Sequence, residues 1–102
     1  MIGPSIARSA AADRSGEVAI ESLTQTATRR IPDLLSWSER TLLEVKNVAE
    51  LGWTNQLRDF AAYAVQHDLD FQIVTRVSTV VDPGLEGFMR EAGFTIARVL
   101  PG

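Results

Sequence analysis

The chain contains no cysteine, which excludes a disulfide framework and any thiolate metal site. Its single histidine, His67, rules out a multi-histidine zinc site and leaves one candidate for any histidine-based triad. Lysine is as scarce: there are nine arginines and one lysine, Lys46. Where arginine is the default cation, a lone lysine marks a position that needs a compact ammonium. No apolar run is long enough to span a bilayer, and Met1-Ile2-Gly3-Pro4 lacks the charged and apolar regions of a signal peptide. There is no internal repeat and no low-complexity tract. A net charge of −3 provides no global electrostatic footprint for nucleic acid; counter-ions in a site or a local arginine patch would offset that. With sulfur absent and imidazole nearly so, any metal held here is held by oxygen, which suits Mg²⁺ or Mn²⁺.

What is present fits one domain with a modest core: 102 residues, 45% hydrophobic and 23% charged. Pro4 and the alanines predict a short helix over 4–13. Residues 17–23 alternate as a first strand and 24–28 make a polar turn. Residues 29–35 predict a second strand, with Pro32 placing it at an edge or near its own start. The third, 41–48, carries Leu and Val on both faces and is expected to be central, and 50–53 is a connection. Thr54 is an N-cap for a helix over 55–67, whose Leu57, Phe60, Ala61, Ala64 and Val65 form one stripe. A strand over 71–77 follows. Asp82-Pro83 then starts a helix that Gly93 ends, and 94–100 is a last strand. The order α-β-β-β-α-β-α-β implies an α/β fold with a mixed sheet flanked by helices.

The chemistry concentrates in Arg30-Ile31-Pro32-Asp33 and Glu44-Val45-Lys46-Asn47. Strand periodicity puts Glu44 and Lys46 on one face. With Ser38 and Glu39 as the turn, Trp37 pairs with Arg40, Leu35 with Leu42 and Asp33 with Glu44. Opposed side chains lie about 5 Å apart on the same face, so Asp33, Glu44 and Lys46 converge. Gathering two carboxylates and an ammonium costs desolvation and repulsion, a cost usually linked to a metal ion or a reaction.

These residues resemble the PD-(D/E)XK nuclease superfamily, whose restriction-endonuclease-like core is αβββαβ. Here it would carry an extra C-terminal helix and strand. Glu44-Val45-Lys46-Asn47-Val48 followed by Thr54-Asn55-Gln56-Leu57-Arg58-Asp59-Phe60 is similar to the restriction-endonuclease-fold toxin domains of bacterial polymorphic toxins, in their seventh class. The resemblance implies one nuclease-like toxin domain over 1–102, with a helix in 1–16 and a core over 17–100. It implies Asp33, Glu44 and the backbone carbonyl of Val45 as ligands of Mg²⁺ or Mn²⁺. Lys46 would position the attacking water or steady charge on the phosphate. Gln56 matches the glutamine of a Gln-x-x-x-aromatic motif of RecB-like relatives, with Phe60 where tyrosine is more usual. Many relatives carry a glutamate in the first helix. Here that helix has none in its body, which leaves Asp13 or Glu17 as substitutes, or a metal held by fewer side chains. The partners implied are DNA first, RNA or tRNA next, and a cognate immunity protein. The module would be delivered as part of a larger toxin and act in the target cell's cytoplasm.

Ordinary roles compete for the remaining residues. Arg30 and Arg58 are candidates for phosphate contact, or a basic edge and a solvated helix face. Asp59 pairs with neighbours of Arg58 or caps nothing. His67 suits a helix C-terminus. Of the two tryptophans, Trp53 packs its connection on the core and Trp37 is the more exposed candidate for base stacking. Two other classes stay open: a catalytically silent nuclease fold used for binding, and an unrelated α/β interaction module in which Glu44 and Lys46 form an ion pair.

Overall fold

A computed structural model describes residues 19–102. The helix expected over 4–13, and with it Asp13 and Glu17, lies outside the described residues. The strands are β1 (Ile20–Glu21), β2 (Arg29–Arg30), β3 (Leu34–Ser36), β4 (Thr41–Lys46), β5 (Glu50–Leu51), β6 (Asp70–Arg76), β7 (Val80–Val81) and β8 (Thr95–Leu100). The helices are α1 (Asn55–His67) and α2 (Pro83–Ala92).

The main sheet has the order β3-β4-β6-β8. β3 and β4 are antiparallel, joined by the turn after Ser36, while β4, β6 and β8 run parallel. The sheet is therefore mixed, as expected. The hairpin register pairs Leu34 with Leu43, Leu35 with Leu42 and Ser36 with Thr41. Continued one residue beyond β3, that ladder sets Asp33 opposite Glu44, the register the sequence implied.

Pro32 divides the expected second strand into β2 and β3. It has no N–H to offer a ladder, its side chain is fully buried, and β3 is the edge strand. β1 and β2 pair only with each other, in the register Ile20–Arg30 and Glu21–Arg29. The expected connection over 50–53 contains a strand, β5, which pairs in parallel with β7.

Both helices have the ends their sequences specify. Thr54 Oγ1 accepts from the Leu57 N–H at 3.2 Å, and Asp68 closes α1 in the left-handed region at φ 56°. Asp82 Oδ2 accepts from Gly84 and Leu85 at 2.9 and 3.2 Å, and Gly93 ends α2 at φ 78°. A side chain at Gly93 would be strained by that angle.

The core lies between the helices and one face of the sheet. Leu35, Leu42, Phe71 and Ile73 meet Leu57, Phe60, Ala61 and Ala64 of α1 and Leu85 and Met89 of α2. Burying each of the larger side chains contributes about 1.5–3 kcal/mol. On the opposite face Leu34, Leu43 and Val74 are half-buried, and Val45 and Val99 are exposed. β4 is thus central in hydrogen bonding but, among the described residues, covered on one face only. No helix among the described residues is long and apolar enough to cross a membrane.

Candidate active site

Glu44 and Lys46 lie on the helix-facing side of β4, on the same face as Leu42. β4 ends there, and the chain returns through β5 to the first turn of α1, which brings Gln56 over the end of the strand. The result is a continuous set of polar contacts. The Asp33 N–H donates to Glu44 Oε1 at 3.1 Å. Glu44 Oε2 lies 3.4 Å from Lys46 Nζ. Lys46 Nζ donates to Gln56 Oε1 at 2.5 Å. The Asp33 carboxylate accepts from the Val45 N–H at 2.7 Å, so a side chain carries on the β3–β4 ladder where the β3 backbone has stopped. Asp33, Glu44, Lys46 and Gln56 are therefore brought together. Val45 joins through its backbone, with its side chain 41% exposed.

The electrostatics are those of a strained anion. Glu44 is 5% exposed. Burial first, and then the neighbouring Asp33 charge, raise its pKa above the ordinary 4.5; the Asp33 N–H and the Lys46 ammonium offset this only in part. A raised carboxylate pKa means that ionisation costs folding free energy, a penalty absent below pH 4.5 and complete above the folded-state pKa. Glu44→Gln, which removes the charge and keeps an acceptor for Asp33, should raise the melting temperature of the metal-free chain at pH 7. That gain should vanish below about pH 4.5. Thermal melts at the two pH values measure both, and a lower melting temperature at pH 7 would show that the anion is not strained.

The same pair fits a divalent cation. A cation between the carboxylates would replace their repulsion by attraction, and the donors are all hard oxygens. Among the described residues no group of three or more His, Asp or Glu side chains is placed to hold a metal. The oxygen donors that would be available to a cation are Asp33, Glu44 and the Val45 carbonyl, with water or a phosphate oxygen completing the set. Mg²⁺ commonly accepts one or two carboxylates and keeps several waters.

The remaining predicted residues lie elsewhere. Arg30 donates from Nε to Asp59 at 2.9 Å and from Nη2 to Thr26 Oγ1 at 3.1 Å, so its guanidinium holds the fold together. Arg58 is exposed but lies against its own turn: it donates to the Trp53 carbonyl at 3.2 Å and stacks 4.5 Å over the Trp53 ring. Trp53 also packs on Phe88, as expected. Trp37 is not the exposed ring its place beside a turn suggested. It packs edge-on to Tyr63 and His67, with centroids at 6.3 and 5.6 Å, because the hairpin turn folds back on the end of α1. There Arg40 donates to the carbonyls of His67 and Asp68, which satisfies the helix C-terminus.

Comparison with known proteins decides the family. The family model for restriction endonuclease fold toxin 7 matches residues 6–85, more than half the chain. The chain belongs to that family. The match includes Asp33, Glu44, Lys46 and Gln56. The family is the one that the residues of β4 and α1 resembled, and the mixed sheet with its two helices is consistent with a restriction-endonuclease-like fold. Membership makes the chain a toxin domain of nuclease type and implies a nucleic-acid substrate. Nucleases of this fold generally use divalent metals. No curated protein and no solved structure matches the chain.

Sequence reasoning missed Asp59. It is fully buried and accepts from Ser22 Oγ at 2.6 Å, the Thr24 N–H at 2.8 Å and Arg30 Nε at 2.9 Å. Burial by itself would raise its pKa. The hydrogen bonds from Ser22, Thr24 and Arg30 outweigh burial and hold it at about 2. One signal was available: position 59 sits between Leu57 and Phe60, on the flank of the apolar stripe, where a charge needs a partner.

Proposed function

We propose that this domain is a metal-dependent endonuclease that hydrolyses phosphodiester bonds of DNA in a target bacterial cell. The observation that carries the proposal is the contact chain from Asp33 through Glu44 and Lys46 to Gln56, built on a pair of carboxylates that a cation would relieve. Asp33, Glu44 and the Val45 carbonyl hold Mg²⁺ or Mn²⁺. When bound, the ion lowers the pKa of a coordinated water and polarises the phosphoryl oxygen. Lys46 places its ammonium beside the phosphate and stabilises the charge that grows there. Gln56 holds that ammonium in place through its side-chain carbonyl. Most of the Glu44 and Lys46 surface is withdrawn from bulk water, which strengthens these interactions.

DNA is the first substrate by the tendency of the fold; RNA, including tRNA, is the alternative. Purified domain incubated with Mg²⁺ or Mn²⁺ should cut plasmid DNA, and chelation should stop it. Cleavage of total tRNA with plasmid left intact would move the substrate to RNA. Failure to cut either, with calorimetry showing no divalent-metal binding, would identify a silent fold used for binding. The domain travels as part of a larger toxin and acts in the recipient's cytoplasm. A cognate immunity protein neutralises it in the producer. A small downstream open reading frame whose product protects cells would establish that partner.

A further inference from the structure

One helix holds the candidate site from both sides. Gln56, in the first turn of α1, accepts from Lys46. Asp59 follows three residues later, so the two side chains lie on neighbouring parts of one helix face. Asp59 reaches in the other direction. It ties down the β1–β2 hairpin at three points: the Ser22 hydroxyl, the Thr24 N–H and the Arg30 guanidinium.

Arg30 is the last residue of β2, and Asp33 comes three residues later. Between them Pro32 is fully buried and restricts the backbone on either side. The short Arg30–Asp33 segment is therefore stiff, so a displacement of Arg30 carries through to the Asp33 carboxylate. β1 and β2 make no ladder with the four-stranded sheet. Their position relative to β4 depends on packing against α1 and on Asp59.

We infer that Asp59 is a positioning residue for Asp33, holding through Arg30 and Pro32 the strand end that delivers the Asp33 carboxylate to the Val45 amide and the Asp33 N–H to Glu44. This rests on the reading of Asp33 as a metal-holding carboxylate. In that arrangement α1 sets the spacing of the whole site, Lys46 through Gln56 and Asp33 through Asp59.

The Val45 amide reports the Asp33 position directly, because Asp33 Oδ2 is its acceptor. Hydrogen exchange followed by NMR on the metal-free chain needs neither metal nor substrate. Asp59→Asn should speed exchange at Val45 about tenfold while the Ile73 amide, inside the central strand β6, stays protected. Arg30→Lys, which keeps the charge and loses the guanidinium geometry, should give a smaller acceleration at Val45 alone, and it decides the matter if Asp59→Asn does not fold. Unchanged Val45 exchange, or equal acceleration at Val45 and Ile73, overturns the inference; the second result would assign Asp59 to general stability. Mn²⁺ affinity by calorimetry should fall about tenfold in Asp59→Asn, and an unchanged affinity in the folded variant overturns the inference too. A parent chain that binds no Mn²⁺ overturns the functional reading itself, which the exchange measurements distinguish from a failure of the positioning role.

Discussion

Asp33→Ala, Glu44→Ala and Lys46→Ala should each lower phosphodiester cleavage by about a thousandfold or more, to background, with the circular dichroism spectrum of the parent retained. On the proposed function the two carboxylate variants would lose a ligand of the cation. They should not be rescued by ordinary metal concentrations. The lysine variant keeps both carboxylates and should still bind Mn²⁺ while failing to cut, since what it loses is charge stabilisation at the phosphate. Gln56→Ala should cost less, about ten- to a hundredfold, because Lys46 retains its contact with Glu44 at 3.4 Å. The order of losses is the diagnostic feature. Three alanine variants that cut as fast as the parent would remove the site assignment, whatever became of the fold. A lysine variant that binds no metal would place Lys46 in the metal site's integrity and not in the chemistry.

The second large effect concerns stability. Asp59→Ala should destabilise the chain by about 3–5 kcal/mol, because it strands the largely buried Arg30 guanidinium together with the Ser22 and Thr24 donors. A domain of this size has about 5–15 kcal/mol in total, so the variant should lie near the edge of folding. The same residue predicts an acid transition. Its folded pKa is depressed to about 2 from an ordinary 3.8. A depressed carboxylate stabilises the fold fully above its unfolded value and loses that contribution as pH falls through the folded one. About 2 kcal/mol should therefore disappear between pH 4 and pH 2. Urea titrations across that range test this. A midpoint that does not move between pH 4 and pH 2 would contradict the hydrogen-bonded anion.

Much of this fold was legible in the sequence because its signals are local. The α1 stripe, the Thr54 cap and the Asp82-Pro83 start each depend on residues within one or two helical turns, and the observed helices begin and end where those signals put them. The hairpin register was legible for the same reason: a short turn at Ser38-Glu39 leaves little freedom in how Leu35 meets Leu42 and Asp33 meets Glu44. Pro32 marked its strand as an edge, where β3 lies, since a residue without an N–H cannot extend a ladder, but not the split into β2 and β3. Less legible were the features that depend on distant segments. Trp37 looked exposed because it adjoins a turn, and what covers it, Tyr63 and His67, lies more than twenty-five residues along the chain. β5 looked like a connection because its partner β7 is about thirty residues away and each strand has only two residues.

Arg30 and Asp59 show the limit most clearly. Their residue types allowed phosphate contact or a basic edge for the one, and a pairing with neighbours of Arg58 or no partner for the other. Only the packing of β1 and β2 on α1 joined them, because a buried carboxylate takes the nearest cation and the nearest donors in space. By itself the sequence determined the two described helices, the strands of the four-stranded sheet and the pairing of Asp33 with Glu44, through short-range periodicity and turn geometry. The tertiary structure alone decided that Gln56 reaches Lys46, that Asp59 takes Arg30, and that Glu44 is buried enough to strain its charge, because those facts arise from distances between segments that no local pattern encodes.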